Sequence, residues 1–206
     1  MKDSLVTVYD IHIIDRSYDG ILGVEFKNKF TEYTFIVYSC YLPPENSTWS
    51  NSDEFFGHMI AQLYTNSYAD AVYLCGDFNC RIGNSLDIAV GIDDVKERVI
   101  LDDVKASHYG EALVDFFKDV KMCTLNGRFS SANDNFTCIS PRGKSVVDFV
   151  LVPHDTLQSC IDFRVDSVTD IMETYGLMSL ESTHCKRPDH SLLYLKFKGG
   201  YSNKYG

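Results

Sequence analysis

Five polar side chains in this chain fall in three short motifs of a kind that places reactive groups at strand ends. Gly76-Asp77-Phe78-Asn79 follows directly on Ala71-Val72-Tyr73-Leu74-Cys75, an apolar run with the character of a buried strand. An acid and an amide therefore land where that strand ends, the position at which open α/β sheets present ligand-binding groups. Residues 145–152 (SVVDFVLV) put a single carboxylate, Asp148, into an otherwise apolar strand, and Pro188-Asp189-His190-Ser191 opens a last one.

Asp77 and Asn79 share one side of an extended segment, so an acceptor and a donor can meet the same small ligand or water while Phe78 faces the core. Gly, Asp and Asn are also ordinary turn formers, and a simple turn is the alternative. A carboxylate flanked by Val146, Val147, Phe149 and Val150 is costly to bury without a partner. Asp148 points either to solvent, the commoner position for a lone acid in a strand, or into a polar pocket between packed layers. An imidazole at a strand end, His190, can be oriented by a carboxylate across the sheet, and an Asp148–His190 pair would satisfy both groups. Alternatively Asp189-His190 is only a polar cap ahead of Leu192-Leu193-Tyr194-Leu195. Tyr41 offers a phenol at the end of another strand. The remaining histidines (His12, His58, His108, His154, His184) show no metal-ligand spacing.

The elements that must position these groups can be read from periodicity. Residues 5–14, 20–26 and 33–41 are rich in β-branched and aromatic side chains and separated by turn formers, which predicts three consecutive antiparallel strands. After Pro43-Pro44, Ser52 can cap a helix whose Phe55, Phe56, Met59, Ile60, Leu63 and Tyr64 keep helical spacing. Residues 84–109 are acidic and polar and read mostly as loop. Ala112, Leu113, Phe116, Phe117 and Val120 mark a second amphipathic helix. Strands are expected over 122–125, 136–139, 145–152, 161–168 and 191–197, with a hairpin turn at Pro141-Arg142-Gly143-Lys144, a short helical turn at 155–159 and a polar segment after 168. Two helices among many short strands point to stacked sheets with helices outside.

At 206 residues and 45% hydrophobic content, one domain with an ordinary core is the default. The formal charge of -10 argues against a protein held on nucleic acid mainly by counterion release, so any such contact must be local and metal-assisted. Seven cysteines without a C-x-x-C spacing read as reduced thiols. No apolar run reaches the length of a membrane span, and the chain start lacks a signal-peptide pattern, which leads to the expectation of an intracellular protein.

Taken in order, Tyr41-Leu42-Pro43-Pro44, Gly76-Asp77-Phe78-Asn79, Ser145-Val146-Val147-Asp148-Phe149 and Asp189-His190-Ser191 resemble the motif set of the endonuclease/exonuclease/phosphatase superfamily. Residues 41–47, 76–83 and 136–152 are most similar to the apurinic-type endonuclease domain of LINE-like retrotransposons, and the resemblance spans about residues 5–197. It implies an α/β (α+β) four-layer sandwich, two packed and mainly antiparallel sheets flanked by helices, over residues 1–198, with 199–206 as a flexible tail. It further implies phosphodiester hydrolysis of nuclease type with Mg²⁺ or Mn²⁺, DNA as the ancestral substrate and a nuclear location.

By position, the resemblance makes Asp77 the group that aligns or deprotonates the attacking water and gives Asn79 a phosphate oxygen to hold. His190, oriented by Asp148, would contact the scissile phosphate, Tyr41 would add a hydrogen bond there, and Asp189 would stand on or near the metal. The family's opening asparagine and metal-binding glutamate have no counterpart; the first glutamate is Glu25, within a strand that aligns after them. The expectation is thus a domain lacking the opening strands, with an impaired metal site. An inactive remnant or interaction module, and a phosphatase of small phosphate esters, are the alternatives.

Overall fold

A computed structural model describes residues 5–100, 102, 104–129, 135–180 and 188–198. The expected flexible tail at 199–206 lies outside the described residues. The first three strands are β1 (Tyr9–Asp15), β2 (Ile21–Asn28) and β3 (Thr34–Tyr41), preceded by one helical turn, α1 (Leu5–Val8), where the sequence suggested strand. Helix α2 (Ser52–Thr65) then returns the chain so that β4 (Ala71–Asp77) runs parallel to β3. A long segment without helix or strand among its described residues leads to α3 (His108–Val120), β5 (Met122–Thr124), a small hairpin of β6 (Cys138–Ser140) and β7 (Gly143–Ser145), and β8 (Asp148–Pro153). A 3-10 turn (His154–Ser159), β9 (Cys160–Asp166), α4 (Val168–Thr174) and β10 (Leu192–Phe197) follow.

The main sheet has the order β1-β2-β3-β4-β8-β5, and β3–β4 is its one parallel pair. Its central strands are buried on both faces, which is why β4 and β8 read as continuous apolar runs rather than alternating ones. On one face Ile36, Tyr38, Leu74 and Leu151 pack against Phe55, Phe56 and Met59 of α2 and Leu113, Phe116 and Phe117 of α3. On the other, Phe35, Tyr73 and Val150 meet Phe163 of β9 and Leu193, Leu195 and Phe197 of β10, which form a second, two-stranded sheet. This is the expected arrangement of stacked sheets with helices outside.

Three local expectations need correction. Asn51, not Ser52, caps α2, its side chain accepting from the amide of Glu54. The turn at 141–142 closes the β6–β7 hairpin and does not lead straight into the strand of Asp148. The polar segment after residue 168 contains helix α4, started by a reciprocal capping pair of Ser167 and Asp170. No helix among the described residues is long and apolar enough to cross a membrane.

Candidate active site

Strand pairing alone brings three of the expected residues into a row. Tyr41 at the end of β3 is in register with Asp77 at the end of β4, and Asp77 is in register with Asp148 at the start of β8. Paired residues point to the same side of a sheet. This side is the one that faces β9 and β10, so the row lies at the mouth of the seam between the two layers. Gly76, just before Asp77, has a φ of +143°, and a Cβ there would stand 1.9 Å from the carbonyl oxygen of Cys40. Only glycine lets β4 lie this close to β3 at the rung that carries the acid.

Asn79 adopts a left-handed conformation (φ +48°) that folds it back on Asp77. Its amide N–H donates to Asp77 Oδ1 (2.9 Å), and its Nδ2 donates to Asp77 Oδ2 (3.0 Å) and to the carbonyl of Leu42 (2.9 Å). Asn79 thus fixes the Asp77 carboxylate from both oxygens. Phe78 is fully buried between Phe55 and Phe149, as its alternation required.

Asp148 is buried, with 8% of its surface exposed, so it takes the pocket and not the solvent position common for a lone strand acid. Its partner is His190, whose Nδ1 lies 2.9 Å from Oδ2. The imidazole arrives on a single rung, an isolated bridge between Cys138 and His190, reinforced when Ile139 N donates to the carbonyl of Asp189 and Ser191 N donates to that of Thr137. Ligand atoms of Asp77, Asp148 and His190 all lie within 4.8 Å of one another, the one such group of potential metal ligands among the described residues. Asp189 is not in that group, but its charge acts on His190. Glu25 is elsewhere: it is buried in β2, where it accepts from the Tyr68 hydroxyl (2.5 Å) and meets Lys27.

The electrostatics follow from burial and from like charges facing one another. Burial pushes the Asp77 carboxyl above its ordinary value, with the Asp148 charge adding to it, and the hydrogen bonds from Asn79 and the His190 charge only partly offset this. Asp148 is also raised by burial, against the opposing effects of Thr137 and His190. For His190, burial works against protonation, yet the carboxylates of Asp148, Asp77 and Asp189 outweigh it and hold the imidazole above its usual value.

Two residues carry this geometry without having been singled out. Thr137, fully buried, accepts from the amides of Val147 (3.0 Å) and Asp148 (2.9 Å) through its hydroxyl oxygen. Asn126, also fully buried, donates from Nδ2 to the carbonyl of Asp148 (3.0 Å) and accepts from Val150 N and Thr124 Oγ1. Each is one polar residue beside a strand, a pattern too common to distinguish in a sequence.

No family model matches the sequence, and no curated protein is similar to it. Solved structures are. The chain is similar to the endonuclease domain of TRAS1, a telomere-specific non-LTR retrotransposon, with a TM-score of 0.58 and 14% identity over 92% of this chain and 69% of that one. It is similar to the 3′ phosphatase NExo from Neisseria bound to a product DNA hairpin (TM-score 0.53, 14% identity, 92% and 71% covered). The 3′-5′ exonuclease NExo from Neisseria meningitidis is a further likeness (TM-score 0.51, 14% identity, 93% and 72% covered). The chain therefore has the fold of these nucleases, that of the endonuclease/exonuclease/phosphatase proteins its motifs resemble.

Proposed function

We propose that the site hydrolyses phosphodiester bonds of a nucleic acid, DNA first, with the help of a divalent cation such as Mg²⁺ or Mn²⁺. The observation that carries this reading is the convergence of Asp77, Asp148 and His190 at the end of the central strands. Like charges directly opposed on neighbouring strands, in a partly buried setting, lower stability, and such an arrangement is characteristic of sites that use the charge. The likeness to NExo, solved with a product DNA hairpin, and to the TRAS1 endonuclease domain supports the choice of substrate.

The two facing carboxylates, Asp77 and Asp148, fit a divalent cation and would hold it, while the protonated imidazole stays off it. Such a cation, when bound, neutralises charge on the phosphate oxygens and makes a nearby water more acidic. Asp77, fixed by Asn79, aligns the attacking water and accepts its proton as the water oxygen bonds to phosphorus. His190, held protonated by Asp148, directs its outer nitrogen to the phosphate and stabilises the negative charge that develops as the bond to the leaving oxygen breaks. Tyr41, half exposed on the same face, adds a donor from the β3 side.

The test is nicking of supercoiled plasmid by the purified chain with Mg²⁺ or Mn²⁺. His190→Ala lowers the rate by about a hundredfold or more. An unchanged rate in that variant refutes the assignment. A parallel assay on an oligonucleotide ending in a 3′ phosphate separates strand cleavage from phosphate removal.

A further inference from the structure

Beside the acids, on the other side of the β3 end, lies a cleft of about 540 Å³ whose walls include Tyr18, Asp19, Tyr41, Trp49 and Glu54. Its size falls in the range of roughly 300–1,000 Å³ typical of small-molecule sites. Trp49, the single tryptophan of the chain, is 88% exposed. A tryptophan offers a large rigid face with a polar handle, of the kind enriched at interfaces.

The walls are built to stay in place. Tyr18 stacks on His58, with ring centres 5.2 Å apart, and meets Phe55 edge-on, while His58 is fixed by Asp15 at 2.7 Å. Gly20 (φ +85°) brings the β1–β2 turn against Tyr41, where a Cβ would stand 2.1 Å from the Tyr41 carbonyl oxygen. The loop that carries Trp49 is pinned by Ser50, whose hydroxyl contacts both the carbonyl of Pro43 (2.9 Å) and the Tyr109 hydroxyl (2.7 Å), and by Ser47 N donating to the carbonyl of Pro44. An aromatic side chain on a pinned loop binds with little ordering cost.

The charge in the cleft decides what can enter. Asp19 and Glu54 are both acidic, and their field, added to the larger effect of burial, raises the Tyr18 hydroxyl above its ordinary value. A phosphate is repelled here. A nucleobase is not: its ring stacks on an aromatic face, and its amino group donates to a carboxylate. The cleft is also joined to the acids through one strand end, since Leu42 N donates to the carbonyl of Asp77 and the Leu42 carbonyl accepts from Asn79.

We propose that this cleft seats an unstacked nucleobase of the substrate strand, with Trp49 stacking on the ring and Asp19 and Glu54 accepting from its edge. The inference rests on the reading of the neighbouring acids as a nucleic-acid-cleaving site, and it adds base recognition to it. Cytosine and adenine, which carry an exocyclic amino group, are preferred over thymine, which does not.

The experiment is a titration of the intact chain, with a chelator present to hold off cleavage, using single-stranded oligomers of equal length. These are oligo-dC, oligo-dT and an oligomer whose bases are all replaced by abasic residues. Oligo-dC quenches the Trp49 emission saturably and the abasic oligomer does not. By anisotropy of labelled oligo-dC, Trp49→Ala binds about tenfold more weakly and Trp49→Phe largely recovers the affinity. The double variant Asp19→Asn with Glu54→Gln narrows the preference for oligo-dC over oligo-dT. Emission unmoved at saturation, equal quenching by the abasic oligomer, or no binding of oligo-dC overturns the inference. His190-dependent nicking with Trp49 unaffected would sink the cleft and spare the reading of the acids. Quenching by oligo-dC without nicking in either metal would do the reverse.

Discussion

At the scale of single residues, the site is a set of shifted proton affinities with consequences for pH. In the proposed mechanism Asp77 must be ionised to take a proton; burial raises its carboxyl and moves the acid limb of the rate profile upward, and a cation held there moves it back down. In the same proposed mechanism His190 must be protonated to stabilise charge, and its carboxylate neighbours have raised it, so the alkaline limb is expected above the value of a free imidazole. Asp148→Asn removes the nearest of those carboxylates and moves the alkaline limb downward, which a pH series of initial nicking rates in the variant and the parent reads directly. The stability effect of Asp77 has a definite sign. A carboxyl raised on folding binds more protons in the native state, so its contribution falls as pH rises from the ordinary value through the raised one. At this scale much was legible. Asp77, Asp148 and His190 come together because motif types and alternation fix which residues end which strands. The burial of Asp148 was not legible, because its partner arrives from 42 positions downstream and its amide is held by Thr137, which no local pattern marks.

Among the elements, the support behind the site is a buried polar network. Arg128 makes two contacts with the fully buried Asp87, at 2.7 and 2.9 Å, and reaches the carbonyl of Thr124, while Asp87 accepts from Thr124 N. Thr124 in turn holds Asn126, which holds the backbone of Asp148. This network ties the long segment between β4 and α3 to the rear of the active strand. Arg128→Ala leaves Asp87 buried without its cation and lowers the unfolding free energy by about 3–5 kcal/mol, measured by urea denaturation. Replacing both by apolar residues of similar volume costs much less. Helices α2 and α3 were readable because their apolar spacing is long and regular. Helix α4 was not: it has seven residues, none buried, and its only sequence sign is the cap at Ser167 and Asp170.

On the scale of the whole molecule, charge sets the manner of approach to a substrate. With a net charge of -10 the chain has few cations with which to displace counterions, so binding of the proposed DNA substrate is expected to weaken only shallowly with added salt. A slope well under that of a protein making several lysine or arginine phosphate contacts is expected when binding is measured across a salt series. Among the described residues, six cysteines form no disulfide, and burial raises Cys160 to about 11 and Cys123 to about 12. Overall layering was legible as well, since continuous apolar runs mark the central strands and alternation marks the outer ones.

The two acids and the imidazole are anchored with unequal strength. Asp77 and Asp148 share a rung in the middle of six hydrogen-bonded strands, whereas His190 hangs on an isolated bridge to Cys138. Amides within the central strands should therefore trade hydrogen for deuterium only when the whole sheet opens, while those of Ile139 and Ser191, which close the bridge, do so by a local excursion. If the site cleaves as proposed, warming would silence it by detaching the imidazole before the fold itself melts.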